Sequence, residues 1–268
     1  MASFSVVSNI ASANAQSNLQ GTNMGLNKAL GRLSSGFRIN QSGDDSAGLA
    51  VANAYRNDTA IMNQGIRNAN DGLSKLQIKD SALANIATVL DRMATLATQA
   101  ASSSNGVDIA KLSSEFQTLT LEIDREAAVA GMTTSASFSV FVSSEATVSN
   151  GSVSGTIGAV ETADLAITTT TFSTAAQAQT ALTQIETAVS NLGNVQNTIG
   201  TLQNRLTFAI SLTQSQVVNT QAAESRIRDA NIAEESANMT RYNILSQSGV
   251  AALAQANQMS SSVLALLR

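Results

Sequence analysis

The chain has 268 residues and a net charge of −4, and it contains no cysteine, histidine, proline or tryptophan. Disulfides and thiolate chemistry are therefore excluded, and so are the commonest general base and the commonest transition-metal ligand. No basic block marks a nucleic-acid partner. We accordingly expect no enzymatic activity, no cofactor, no metal site and no nucleic acid. Because aromatic residues make up only 3% of the chain, Ala, Leu, Val and Ile must form its core, which suits close-packed helices.

Two segments of 26 residues, 2–27 and 242–267, contain no charged side chain, although 13% of the whole chain is charged. Chain ends are usually solvated, so we interpret these segments as built to be buried. Apolar residues at helical spacings predict one stripe at each end. The N-terminal stripe comprises Phe4, Val7, Ile10, Leu19, Leu26, Leu30 and Leu33, and the C-terminal stripe comprises Tyr242, Leu245, Gly249, Ala252, Ala256, Met259, Val263 and Leu266.

Between the ends, the pattern predicts a helix over 3–33 and a Gly/Ser/Asn-rich connector over 34–43. Asp44 or Asp45 is expected to cap a second helix that runs to residue 101, about 85 Å long at ~1.5 Å per residue. Its stripe consists of Ile66, Ala69, Leu73, Leu76, Asp80, Leu83, Ala87, Leu90, Ala94 and Ala97.

A further helix is predicted over 107–130, and charge nearly vanishes from 131 to 174. There, alternating residues around Phe138 to Val142 and the hairpin signal Asn150-Gly151 predict short strands. Helical periodicity returns over 175–222 with an apolar stripe throughout. It consists of Ala178, Ala181, Ile185, Ala188, Leu192, Val195, Ile199, Leu202, Leu206 and Ala209.

These elements predict a mainly α fold: a long coiled-coil-like helical hairpin or bundle, with both termini together and a small β-rich insert. The uncharged ends can bury all their faces if their neighbours are copies of the same chain, because Ser, Asn and Gln avoid the desolvation cost of ions. We therefore predict a tube or filament with the termini innermost. Disorder of the ends in the free chain is the alternative interpretation, and we expect that disorder to end on assembly.

No apolar run approaches the ~20 residues of a membrane span, so membrane insertion is not expected. The N-terminus also lacks the basic start and apolar block of a secretory signal. We expect any export to use another route.

Several ordered blocks resemble bacterial flagellin over about 1–130 and 175–268. The blocks are 32–40 (RLSSGFRIN), 44–50 (DDSAGLA), 67–72 (RNANDG), 122–125 (EIDR), 225–230 (SRIRDA), 253–258 (LAQANQ) and 263–268 (VLALLR).

The resemblance implies a structural subunit that self-assembles into the flagellar filament for swimming motility. Residues 1–43 and 224–268 would form the inner core, 44–130 and 175–223 an outer helical bundle, and 131–174 a β-rich surface insert. The spoke between inner and outer layers, with its contacts between subunits, would comprise Arg32, Phe37, Arg38, Asp44 and Asp45. We expect Asp44 and Asp45 to serve as a helix cap and, in an assembled filament, to form a salt bridge with Arg38 or Arg32; a metal site at the two aspartates is the lesser alternative.

The resemblance also implies partners. Subunits of this family pass through the flagellar (type III) export channel, are held by an export chaperone and fold under a filament cap, which places them outside the cell. The family's Toll-like receptor site is matched in part, by Leu90, Arg92, Leu96 and Glu115, while Ala94 and Thr95 replace an arginine and a glutamate. Two other interpretations stay open: a hook–filament junction protein and a non-flagellar coiled-coil surface or signalling protein.

Overall fold

A computed structural model of the chain describes residues 9–102, 108–143 and 151–266, with side chains described as far as Met259. Within these ranges the chain forms five long helices and one two-stranded antiparallel sheet, which confirms the predicted fold class. In chain order the elements are α1 (Ile10–Ser35), α2 (Ser46–Ala101), α3 (Ile109–Val129), β1 (Ala136–Phe141), β2 (Ser152–Ile157), α4 (Ala175–Arg228) and α5 (Ile232–Leu266).

The chain divides into two compact units. The first comprises Met1–Asn57 with Asn219–Arg268, and the second comprises Asp58–Val218. Helices α2 and α4 contribute residues to both units. The predicted three-part division into inner core, outer bundle and surface insert stays a prediction.

Local caps fix both ends of α1. The side chain of Asn9 accepts a hydrogen bond from the Ser12 N–H at 3.0 Å, which satisfies one of the free donors of the first turn. At the other end Gly36 has φ +75°, a left-handed conformation that glycine adopts without penalty, and its N–H donates to the Arg32 carbonyl. The predicted stripe residues Phe4 and Val7 lie outside the described residues.

Helix α2 begins at the predicted place because Asp45 caps it. The Asp45 Oδ1 accepts from the Gly48 N–H at 2.9 Å. The helix then continues for 56 residues, and the absence of proline leaves its backbone hydrogen bonds uninterrupted.

The core of the second unit is formed by α2, α3 and α4, and its α2 row differs in part from the predicted stripe. Ala69, Leu76, Leu83, Leu90 and Ala97 are buried as predicted. At the predicted positions between these residues, the buried side chain mostly belongs to the residue one earlier in the chain. The buried set adds Ile86, Met93 and Ala100, while Leu73, Ala87 and Ala94 are partly buried and Asp80 is exposed.

The α4 stripe is confirmed more closely. Eight of its ten predicted members are buried, and the other two, Val195 and Ala209, pack partly buried against the same core. At most positions of this stripe the residues on both sides in the sequence are polar or glycine, so the pattern leaves little ambiguity there.

The β hairpin packs against this core, to which Val142, Val153 and Ile157 contribute. Strands β1 and β2 pair in antiparallel register from Ala136 opposite Ile157 to Phe141 opposite Ser152. Two glycines of α2 make room for it: a Cβ at Gly65 would lie 2.3 Å from the Val142 carbonyl oxygen, and one at Gly72 would lie 2.7 Å from a methyl carbon of Val140. Asn150 of the predicted turn lies outside the described residues.

The segment after β2 is held by polar and aromatic contacts. Asp124 accepts from the Thr162 N–H at 2.9 Å, and Ser113 accepts from the Phe172 N–H at 2.9 Å. The Phe172 ring packs edge-on against Phe116 with the ring centroids 5.2 Å apart. Residues 160–172 therefore share the helical core through Val160, Leu165, Ile167 and Phe172.

Candidate functional site

The two terminal helices, α1 and α5, run antiparallel and pack against each other within the first unit. Asn9 lies opposite Ala256 at one end of the pair, and Arg32 lies opposite Glu235 at the other. Residues 10–35 and 232–266 are helical. Disorder of the ends in the free chain before assembly stays a prediction.

Two glycines let the helices approach closely. A Cβ at Gly25 would lie 2.6 Å from the Cζ of the Tyr242 ring, and a Cβ at Gly249 would lie 3.1 Å from the Leu19 Cδ1. Each helix thus supplies one glycine and one large side chain, in reciprocal arrangement. This packing sets the register of α1 against α5.

Polar contacts flank the glycine contacts. The Asn9 side-chain amide donates to the Ala256 carbonyl at 2.9 Å, and the Ser246 hydroxyl donates to the Asn23 side-chain oxygen at 3.3 Å. At the far end the Arg32 guanidinium donates to Glu235, also at 2.9 Å. Glu235 is buried, so this ion pair is shielded from solvent on the carboxylate side.

The structure splits the predicted C-terminal stripe in two. Tyr242, Gly249 and Ala256 face α1, as predicted. Three others, Leu245, Ala252 and Met259, are exposed; Leu245 has 44% and Met259 53% of its surface accessible. Spaced seven residues apart, these three form a line on one side of α5, here called the open row. The side chains of Val263 and Leu266 lie outside the described residues.

The N-terminal stripe also divides between packed and exposed residues. Leu19 contacts Gly249, and Leu26 and Leu33 are half-buried. Ile10 and Leu30 are exposed. Two of the five predicted stripe residues in the described part of α1 are therefore exposed to solvent.

The predicted spoke residues come together at the connector between α1 and α2. The connector pairs with the end of α4 through an isolated antiparallel bridge between Phe37 and Asp229. The Arg38 N–H donates to the Arg228 carbonyl at 2.7 Å, and the Ala230 N–H donates to the Gly36 carbonyl at 2.9 Å. The Arg228 guanidinium lies over the Phe37 ring, 4.1 Å from its centroid, in a cation–π contact.

Asp44 stabilises this connector through a salt bridge and hydrogen bonds. Lys28 donates to it at 2.7 Å and Arg32 lies 4.0 Å away, while the Asn40 and Gln41 N–H groups donate to its other oxygen. The Lys28 hydrogen bond, helped by these two N–H donors and opposed by desolvation, lowers the pKa of Asp44 to about 2. Within the single chain Arg38 donates to the Ile227 carbonyl, and a pair with Arg38 in the assembled filament stays a prediction.

Sequence reasoning missed two members of this cluster, Lys28 and Glu235. Lys28 lies one turn before Arg32, directly after the uncharged segment 2–27, and Glu235 follows Glu234 in the first turn of α5. These positions were the available signal, but only the antiparallel pairing of α1 and α5 brings Glu235 to Arg32.

The four residues matched to a receptor site are not all on the surface of the second unit. Leu90 and Leu96 are buried in its core, with 0% and 1% of their surfaces accessible, because both belong to the inward row of α2. The prediction that these two leucines are surface contacts for a receptor is therefore corrected. Arg92 and Glu115 are exposed and paired with each other at 2.6 Å.

Within the described ranges no helix is both long and apolar enough to span a bilayer. The same ranges also hold no group of three or more carboxylate, imidazole or thiol side chains arranged to bind a metal ion.

The terminal helices are paired, the connector is held against the end of α4, and the open row of α5 is exposed. These features define a helical subunit whose first and last helices pack together as one structural element. Residues 6–137 match the family model described as the bacterial flagellin N-terminal helical region, and residues 182–267 match the bacterial flagellin C-terminal helical region. The chain belongs to the bacterial flagellin family and is a structural subunit of the flagellar filament, the organelle of swimming motility.

Relatives match over nearly the whole chain. A flagellin of Halalkalibacterium halodurans is 36% identical, over 92% of this chain and 95% of its own length. Flagellin FlaB1 of Treponema pallidum is 33% identical, over 97% and 98%. A crystal structure of Bacillus cereus flagellin aligns with a TM-score of 0.47 and 31% identity, over 59% of this chain and 94% of that chain. These matches give no support to a hook–filament junction protein or a non-flagellar coiled-coil protein.

Proposed function

We propose that the paired helices α1 and α5 are the segments through which copies of this chain join, and that they form the inner wall of the filament tube. In this proposal residues 1–43 and 224–268 are the inner core, 44–130 with 175–223 the outer helical layer, and 131–174 the outer surface. The connector around Phe37, Arg38, Asp44 and Asp45 is the spoke between the layers.

The open row carries this proposal. Leu245, Ala252 and Met259 recur every seven residues, which is the spacing that a neighbouring helix meets in a coiled coil. In the single chain the row is exposed, because α1 covers the adjacent side of α5. A further helix seated on the row would bury these side chains, and another copy of α1 or α5 has the required uncharged surface.

The composition of both helices favours the same partner. Exposed apolar residues on α1, including Ile10 and Leu30, supply a second surface for such contacts. Between these residues the segments carry Ser, Asn and Gln, which pair across helices at lower desolvation cost than ions. In a tube whose wall consists of these helices, residues 2–27 and 242–267 contribute no charged side chain that would have to be buried.

Export, capping and final location follow from the same proposal. We infer that the chain leaves the cell through the flagellar export channel, folds under a filament cap and becomes part of the extracellular filament. Until then an export chaperone would cover the exposed apolar residues of α5. The family membership and the apolar exposure of Leu245, Val250 and Met259 in the free chain support this inference.

The test is a single charge placed in the open row. We expect Ala252→Glu to fold normally, since the site is exposed in the single chain, and to raise the critical concentration for polymerisation at least about tenfold, because an unpaired charge buried at an interface is costly. Sedimentation of seeded filaments measures the critical concentration, and far-UV circular dichroism checks the fold.

The matched control is Gln179→Glu. It adds the same charge at an exposed position near the N-terminus of α4, where a carboxylate is favourable. We expect its critical concentration to stay near that of the unchanged chain. Normal polymerisation of Ala252→Glu would exclude the open row as a subunit contact.

A further inference from the structure

The methionines of this chain differ sharply in their accessibility. Of the described ones, Met62, Met93 and Met132 are buried in the second unit, with at most 3% of their surfaces accessible, and Met239 is half-buried. Met24 and Met259 are exposed, with 64% and 53% accessible. An oxidant in solution therefore reaches the last two first, because thioether oxidation follows exposure.

We propose that Met259 is a reversible oxidation site at which peroxide controls polymerisation. The inference rests on the proposed function of the open row, of which Met259 is one of the three members. Oxidation turns an apolar, flexible side chain into a polar and chiral one. The chain itself stays folded, because the modified group lies on its exposed side.

The chemistry balances with hydrogen peroxide alone as the oxidant. The Met259 sulfur attacks one peroxide oxygen, the O–O bond breaks, and a sulfur–oxygen bond forms. The leaving oxygen keeps the pair of electrons from the O–O bond, takes the proton of the hydroxyl transferred to sulfur and leaves as water. The sulfur is thereby oxidised by two electrons to a sulfoxide. Methionine sulfoxide reductases, one for each sulfoxide epimer, reverse the change with a dithiol as reductant, which is oxidised to a disulfide while the oxygen leaves as water.

Position makes the two exposed methionines unequal. Met259 continues the apolar line of Leu245 and Ala252, so a sulfoxide there must be desolvated when a neighbouring helix covers the line. Met24 has Gln20, Gly21, Asn27 and Lys28 as its helical neighbours, all exposed and none apolar in its side chain. A sulfoxide at Met24 joins a surface that is already polar.

Free chain and filament should also react differently. In the free chain Met259 is accessible, whereas in the filament the neighbouring copy shields it. Peroxide is thus expected to act on subunits that carry neither an export chaperone nor a neighbouring copy on α5.

The experiment oxidises the purified full chain with dilute hydrogen peroxide, locates sulfoxides by peptide mass spectrometry and measures seeded polymerisation. We expect oxidation at Met24 and Met259, and a rise of about tenfold in the critical concentration, since a sulfoxide costs more to desolvate than a thioether. Treatment with both methionine sulfoxide reductases, one for each sulfoxide epimer, and a dithiol is expected to restore the original value. Met259→Leu is expected to polymerise equally well before and after peroxide, whereas Met24→Leu is expected to remain sensitive.

Two outcomes overturn the proposal: normal polymerisation of a chain shown by mass to carry the Met259 sulfoxide, or equal loss in oxidised Met259→Leu. If Met259→Leu alone fails to polymerise, reductase treatment of the oxidised unchanged chain decides, and failure to recover counts against the proposal. Ala252→Glu separates the two ideas. If that variant polymerises normally, the open row is not the subunit contact. If it fails to polymerise but oxidation of Met259 leaves polymerisation of the unchanged chain unaffected, only the proposed redox control is refuted.

Discussion

The Tyr242 ring occupies the space that a side chain at Gly25 would need, with only 2.6 Å between the ring Cζ and a Cβ placed there. We expect Gly25→Ala to force the ring away and destabilise the α1–α5 pair by about 1–3 kcal/mol, the usual cost of overpacking. Thermal unfolding followed by far-UV circular dichroism measures the loss.

Gly21 provides the control for that substitution on the same helix, because a Cβ there has no atom within 4 Å. Gly21→Ala is expected to stabilise α1 by up to about 1 kcal/mol through helix propensity alone. Equal effects of the two substitutions would show that Tyr242 does not pack on Gly25 in solution.

Asp44 should make the connector sensitive to acid. Its folded-state pKa of about 2 lies below the ordinary 3.8, so the fold favours the ionised carboxylate. The resulting stabilisation is present above pH 4 and is lost as pH falls from about 4 towards 2. We expect it to be worth no more than about 1 kcal/mol, since Lys28 is half exposed and the pair is screened.

An NMR titration of the Asp44 carboxyl carbon checks this directly. The midpoint is expected near 2 in the unchanged chain and closer to 3.8 in Lys28→Met. An unchanged midpoint in that variant would mean that the backbone donors, and not the ammonium, hold the carboxylate ionised.

Lys79 should stabilise the C-terminus of α3. Its ammonium donates to the Ala130 and Gly131 carbonyls, both at 2.9 Å, and burial lowers its pKa. Lys79→Met leaves these carbonyls without that donor, and we expect a loss of about 1–3 kcal/mol in unfolding free energy. Lys75→Met, at an exposed site one turn away, is expected to change stability by less than about 0.5 kcal/mol. Matching losses in the two variants, measured by urea unfolding, would contradict the capping role.

We expect receptor recognition, which the resemblance to flagellins implies, to depend on the surface beside Arg92 and Glu115. The resemblance to flagellins places an arginine where this chain has Ala94 and a glutamate where it has Thr95. We expect the double substitution Ala94→Arg, Thr95→Glu to increase signalling in cells that report Toll-like receptor activation. Adding Arg92→Ala to that variant is expected to remove the gain. No gain in the double variant would mean that other residues limit recognition.

Much of the fold was predictable because apolar spacing in long helices is a strong signal. The α4 stripe was predicted almost residue for residue, since its neighbours in sequence are mostly polar. The α2 stripe was predicted less well, because Ile86 precedes Ala87 and Met93 precedes Ala94. Either member of such a pair satisfies a period of 3.5, and packing against α3 and α4 selects the larger one.

The candidate site was harder to predict because its contacts join distant parts of the chain. Arg32 and Glu235 are 203 residues apart in the chain. Nothing in the sequence indicates which charged residues form an ion pair over such a distance. The two faces of α5 posed a different problem. Its small and apolar residues are common enough to fit two stripes, and only the position of α1 shows that Leu253 lies on the packed side and Ala252 in the open row.

The reciprocal glycine contacts between α1 and α5 make the two ends of the chain a matched pair. A terminal helix taken from another flagellin would have to bring a glycine opposite Tyr242 and a large side chain opposite Gly249. Chimeras that exchange both ends together preserve these conditions, while those that exchange one end break them. The first and last segments of the gene are therefore expected to change in concert, even though most of the coding sequence lies between them.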